Sequence, residues 1–179
     1  LEKDLGFATL TSITSHLWGR FLNNVDADGT IDNLLHIDFA AKNKETSQDI
    51  RLATNGSGPV KVIAGLYYFR DDIDIDTTYT IFGGPPILPI LTQSYDQRRT
   101  SYAAYVDGTW DLSQMFTLYG GLRYTKDKGR LSDFQVTPII APQPTLRYND
   151  GKPTGRIGLR AKVVDDVMIF GQYARGYRS

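Results

Sequence analysis

Seven ionisable residues fall where alternating side chains would gather them on one side of a β-sheet: Asp49, Arg51, Asp107, Arg123, Arg156, Arg160 and Lys162. Such a set can form internal ion pairs, meet a polar element packed against it, or attract an anionic ligand. No nucleophile or general acid–base partner stands at a fixed spacing from them, so what they offer is recognition rather than bond making.

The other groupings are weaker. Asp26-Ala27-Asp28-Gly29-Thr30-Ile31-Asp32 places carboxylates at alternate positions around a glycine, as a calcium loop does. It lacks the later bidentate Glu, and it reads as an acidic turn in an external loop. Asp71-Asp72-Ile73-Asp74-Ile75-Asp76 reads as a solvated rim at the top of a strand, whose negative potential biases what approaches it. His16 and His36, the two histidines of the chain, are too few for a zinc or haem site and read as surface or loop positions. Gly83-Gly84-Pro85-Pro86 lacks the Lys-Ser/Thr continuation and helix of a phosphate loop, and is a stiff irregular segment. No nucleophile elbow is found. No enzyme activity, metal or cofactor is expected.

The elements that would position these residues are strands. Gly reaches 17 and Tyr 11 of 179 residues, and Thr, Ile, Val and Phe are plentiful, a balance that favours strands with tight bends over helices. The spacing predicts about seven strands, near 5–16, 44–53, 60–71, 99–111, 115–128, 153–163 and 167–178. Most reach the roughly 9–11 residues that cross a bilayer at a tilt. Tight turns at Asn55-Gly56-Ser57-Gly58, Leu112-Ser113-Gln114 and Asp165-Asp166 alternate with long polar stretches at 17–43, 72–98 and 129–152. Short turns at one end and long loops at the other are the pattern of a transmembrane barrel, inner side and outer side respectively.

Alternation within strands assigns the faces. Arg156, Gly158, Arg160 and Lys162 oppose Ile157, Leu159, Ala161 and Val163; Thr117, Tyr119, Gly121, Arg123 and Thr125 oppose Leu118, Gly120, Leu122 and Tyr124; Asp49 and Arg51 oppose Ile50 and Leu52. In a barrel the charged face lines the lumen and the apolar face meets lipid; in a soluble sandwich the same pattern would put the apolar face in the core. Aromatics decide between them: Tyr67, Tyr68, Phe69, Tyr102, Tyr105, Trp110 and Phe116 gather at strand ends, like the interfacial girdles of outer-membrane barrels. Equal acidic and basic counts, 20 of each, give no reason to expect nucleic acid. No cysteine is present, which removes disulfides and thiolate metal sites.

The residues also resemble a family. Ser47-Gln48-Asp49-Ile50-Arg51-Leu52-Ala53, Asn55-Gly56, Gly58-Pro59, Ala64-Gly65-Leu66-Tyr67-Tyr68-Phe69, Ser101-Tyr102-Ala103-Ala104-Tyr105, Gly120-Gly121-Leu122-Arg123-Tyr124-Thr125-Lys126-Asp127, Gly155-Arg156-Ile157-Gly158-Leu159 and Tyr173-Ala174-Arg175-Gly176-Tyr177-Arg178 are similar to the barrel of TonB-dependent outer-membrane receptors. Val106-Asp107 stands where relatives often carry Gly-Gln, and 129–152 matches no family pattern. The resemblance implies an all-β, antiparallel up-and-down meander that forms an open portion of a barrel of about 22 strands. It also implies an outer-membrane location in a Gram-negative bacterium, contact with lipid, and a TonB complex acting through a plug domain. The ligand would be a scarce nutrient, most often a ferric siderophore and otherwise haem, cobalamin or a glycan. The plug, the TonB box, a signal peptide and a closing strand are not recognised within residues 1–179, so an internal barrel segment is expected. Two alternatives from the residues alone are a smaller stand-alone structural or adhesive barrel and a soluble β-sandwich that binds carbohydrate.

Overall fold

The computed structural model describes residues 1–29, 31, 34–81, 89–164 and 166–176. Thr30, Asp32, Gly83-Gly84-Pro85-Pro86, Asp165 and the closing Tyr177-Arg178 lie outside the described residues. The strands are β1 (Glu2–Asp4), β2 (Ala8–Asp26), β3 (Leu35–Thr54), β4 (Val60–Ile81), β5 (Pro89–Asp111), β6 (Phe116–Thr137), β7 (Leu146–Val164) and β8 (Val167–Arg175). They form one antiparallel sheet in sequence order. Each strand pairs with its chain neighbours, so backbone donors and acceptors are satisfied strand by strand along an unbroken ladder. Among the described residues no second sheet faces the first, which removes the sandwich: its apolar faces would have to pack against one another.

The seven long strands sit where the alternation places them, and the differences lie at their ends. The first begins at Ala8, not residue 5, because Gly6 (φ +85°) turns the chain from the short β1 into β2. That adds a fourth tight connection at the same end of the sheet as the turn at Gly56 (φ +95°). Asn55 ties these two turns together, donating to Asp4 Oδ1 (2.8 Å) and Gly6 O (3.2 Å) and accepting from Thr9 Oγ1 (2.7 Å).

At the far end, most of the stretches expected as loops are strand. β4 runs 22 residues, about 73 Å at 3.3 Å per residue, and about 50 Å of height at a 45° tilt against an apolar band about 25 Å tall. The outer halves are therefore polar ladders, which composition alone makes look like loops. Asp71-Asp72-Ile73-Asp74-Ile75-Asp76 lies inside β4 and not on a rim. Cross-strand charges make this possible: Lys44, Asp72 and Arg98 are direct neighbours, as are Lys42 and Asp74. His16 and His36 likewise sit in β2 and β3, His16 bonded to Thr46 Oγ1 at 2.9 Å.

Asp72 holds two guanidiniums, with Arg70 Nε at 2.6 Å and Arg98 Nε on its other oxygen. Burial pushes its carboxyl up, but the hydrogen bonds and charges of Arg70 and Arg98 outweigh that and hold it below the usual carboxylate range. A depressed folded-state pKa stabilises above the unfolded value of about 3.9, and the contribution disappears as pH falls through the folded value. Asp72→Asn should lower unfolding free energy by about 0.5–1 kcal/mol at pH 7. Urea titrations of wild type and variant should converge well below pH 4.

Candidate functional site

Register puts all of the candidate residues on one face. Asp49 and Arg51 of β3, Asp107 of β5, Arg123 of β6 and Arg156, Arg160 and Lys162 of β7 share it with Tyr67, Tyr105 and Tyr119. The opposite face, over the nine residues nearest the tight turns, carries Val60, Val62, Leu66, Val106, Leu118, Leu122, Ile157 and Leu159. Its aromatic borders are Trp110 and Phe116 beside the turns and Tyr68, Tyr102 and Tyr124 above. The girdle expected from sequence is thereby divided. Tyr68 and Tyr102 stand on the apolar face with ring centroids 5.3 Å apart, whereas Tyr67 and Phe69 stack at 6.5 Å on the charged face. Adjacent strand residues point to opposite sides, so position along the strand does not assign a girdle member.

Exposure is inverted relative to a water-soluble fold. Val106, Leu122 and Tyr124 are 43%, 67% and 52% exposed, whereas Ser101 and Asp127 are 7% and 2% exposed. Buried apolar residues number only Ala8 and Ala103 among the described residues, and the surface is 12,578 Å². A compact monomer of this mass would expose roughly 8,700 Å². The sheet shelters polar groups on one face and leaves an apolar band uncovered on the other.

The candidates fall into two groups. Asp107 and Arg156 form a forked pair, with Oδ2 accepting from Nη2 at 2.9 Å and Nε at 3.1 Å. Their strands are separated by β6, and Gly121 between them supplies the room: a Cβ there would strike the Asp107 carboxylate. The second group centres on Tyr105, which lies over Gly65 and donates to Asp49 (3.2 Å to Oδ2). Asp49 thus takes a phenol and not a cation. Arg123 stacks between Tyr67 and Tyr105, 5.4 and 5.7 Å from their centroids, and donates to Thr125 Oγ1 at 3.1 Å. Arg51 and Arg160 form no salt bridge among the described residues. Tyr67, Tyr105, Gly65 and Gly121 were missed as members of this network. Their odd numbering in β4, β5 and β6, the parity of Arg123, is the signal that would have found them.

A cavity of about 480 Å³ opens on this face, lined by Tyr105, Asp107, Arg123, Thr154 and Arg156 among others. It offers cations, a phenol and one paired carboxylate, a surface for polar contact. Among the described residues no group of His, Cys, Asp or Glu is arranged to hold a metal. Asp28, from the calcium-like stretch, instead accepts the backbone N–H groups of Leu34 and Leu35, both at 2.7 Å. A double-mutant cycle of Asp107→Ala and Arg156→Ala should give a coupling of about 1 kcal/mol in unfolding free energy. Losses that simply add would contradict the pair.

Comparisons with known proteins agree with this geometry. The family described as TonB dependent receptor-like, beta-barrel matches residues 3–179. The pesticin receptors of Yersinia enterocolitica and Yersinia pestis are each 27% identical over 135 residues, 73% of this chain and 19% of theirs. The chain therefore spans about a fifth of the length of the curated relatives it matches. The crystal structure of the ferric yersiniabactin uptake receptor FyuA from Yersinia pestis superimposes with a TM-score of 0.84 at 20% identity, covering 96% of this chain and 26% of that one. The siderophore receptor PiuA from Acinetobacter baumannii gives 0.66 at 17% identity, covering 97% and 30%. These likenesses show the fold, and the family is one of transport receptors rather than enzymes. With its sheet order, opposed faces and a match across nearly its whole length, the chain belongs to the TonB-dependent receptor β-barrel family.

Proposed function

We propose that this chain forms about a third of the wall of a 22-strand outer-membrane barrel, in a receptor that takes up a ferric siderophore with energy delivered by a TonB complex through a plug domain. The carrying observation is the exposure pattern: apolar side chains uncovered between two aromatic rows, with polar groups such as Ser101 and Asp127 buried on the opposite face. Such a band is stable in hydrocarbon, where the face would otherwise demand a partner. On this reading Asp49, Arg51, Asp107, Arg123, Arg156, Arg160 and Lys162 face the lumen.

Two further features support the whole-barrel reading. Among the described residues β1 pairs with β2 alone and β8 with β7 alone; unpaired edges in lipid cost several kcal/mol per backbone group, which favours a sheet set within a larger closed barrel. On the sheltered face, Oδ1 atoms of Asn43, Asp71 and Asp127 are buried without a hydrogen-bond partner among the described residues. Unpaired polar atoms of this kind suit a face that meets polar rather than apolar neighbours, as a plug in the lumen would be.

The siderophore rests on the likeness to FyuA, a ferric yersiniabactin uptake receptor, and PiuA, a siderophore receptor, and on the outer half of the same face. Above the membrane band the sheltered side turns apolar. Phe21 meets Phe39 edge-on at 5.9 Å, Tyr95 meets Phe134 at 6.3 Å, and Ile73, Ile75 and Tyr79 lie beside them. A flat, partly aromatic chelate finds apolar contact on such a wall before it reaches the charged lumen.

Uptake of radiolabelled iron by an iron-starved strain tests the proposal. Deleting the receptor gene should abolish uptake of one ferric siderophore, and Phe39→Ala with Tyr95→Ala should raise the half-saturating concentration about tenfold at equal surface abundance. Normal siderophore uptake in the deletion strain, with haem or cobalamin uptake lost, would overturn the ligand class.

A further inference from the structure

The outward face changes character immediately above the Tyr68–Tyr102–Tyr124 row. Arg98, Arg130 and Arg147 are direct cross-strand neighbours on three successive strands, and in the adjacent row Thr100, Lys128 and Asn149 are neighbours in the same way. Like charges set directly opposite destabilise a sheet. Arg98 shares Asp72 with Arg70, while Lys128, Arg130 and Arg147 form no salt bridge with a carboxylate among the described residues. These six residues line an open cavity of about 460 Å³, furnished with three guanidiniums, an ammonium, a hydroxyl and an amide. Such a set matches a phosphate group, which takes several charge-assisted hydrogen bonds from forked donors.

Position selects the source of the phosphate. Lys128 lies four residues beyond Tyr124 on the same face, about 13 Å along the strand and about 10 Å in height at a 40° tilt. That is the level of headgroups above an aromatic girdle. Directly below, a second open cavity of about 470 Å³ is lined by Ile50, Leu66, Tyr68, Tyr102 and Tyr124 and reaches Lys126. An apolar groove beneath a cationic one is the shape of a lipid, with chains below and phosphate above; a free anion would have no use for the lower half.

We infer that the outward face of β5, β6 and β7 binds a phosphorylated lipid of the surrounding outer leaflet, its phosphate held by Lys128, Arg130 and Arg147 and its chains against the tyrosine row. The inference rests on the outer-membrane reading above. It explains why three arginines can stand side by side: the bound phosphate supplies the charge that offsets their repulsion. It also assigns the lipid a structural part, since it would fasten three neighbouring strands together where they leave the hydrocarbon.

The test uses the full-length receptor, delipidated in detergent and titrated with diphosphorylated lipid A, with phosphatidylethanolamine and with inorganic phosphate, bound lipid being counted by native mass spectrometry. Wild type should retain lipid A. Arg130→Gln with Arg147→Gln should bind it about tenfold more weakly, and Lys42→Gln with Lys44→Gln, the same charge loss on β3, should bind like wild type. Equal retention by wild type and the arginine variant would overturn the site, and so would inorganic phosphate competing on equal terms with the lipid. Siderophore binding and insertion into vesicles are recorded on the same samples. If wild type fails those, the receptor reading falls; if it passes them and the lipid result is negative, only this inference falls.

Discussion

Everything in this chain depends on backbone pairing in one layer. A sheet without a second layer has no core to close over, so its cohesion comes from the ladder that joins β1 to β8 in order. In hydrocarbon that ladder is obligatory, because an N–H or C=O without a partner finds no water. Side chains are then released from core packing, and each face answers only to what lies beside it. That is why only two apolar residues are buried among those described, and why one face can be dressed for lipid while the other carries the Asp107–Arg156 pair and the Arg123–Tyr105–Asp49 cluster.

The same logic makes the two faces exchange polarity along the strands. Below the Tyr68–Tyr102–Tyr124 row, the outward side is apolar and the sheltered side charged. Above it, Arg98, Lys128 and Arg130 point outward, while Phe39, Ile75 and Tyr95 point inward. β3 to β6 therefore carry two opposite patterns joined at one height. On the barrel reading proposed above, the join marks the edge of the membrane.

Much of this was legible in the sequence. Arg156-Ile157-Gly158-Leu159-Arg160 writes its two faces in alternate letters, and the short turn at Leu112-Ser113-Gln114-Met115 fixes the register of β5 on β6. The extensions were harder to read. Asp72 and Asp74 look like turn formers until Lys44, Arg98 and Lys42 are placed across from them, and those partners lie 26 to 32 residues away in the chain. The parity of Gly121 and Gly65 places them on the face of Arg123, but what each does there, making room for a side chain of a neighbouring strand, depends on partners distant in the chain. Long-range register is what propensity cannot supply.

The opposed faces can be measured directly. The chain has no cysteine, so single cysteines carrying spin labels can be introduced one at a time from Phe116 to Arg130 in the full-length receptor reconstituted in lipid. Collision with oxygen, which partitions into hydrocarbon, should peak at 118, 120, 122 and 124 and fall at the odd positions between them. Beyond Tyr124 the oxygen maxima should vanish, and a water-soluble nickel relaxant should take over at 126, 128 and 130. Oxygen accessibility that peaks at the odd positions, or that shows no period of two, would contradict the account.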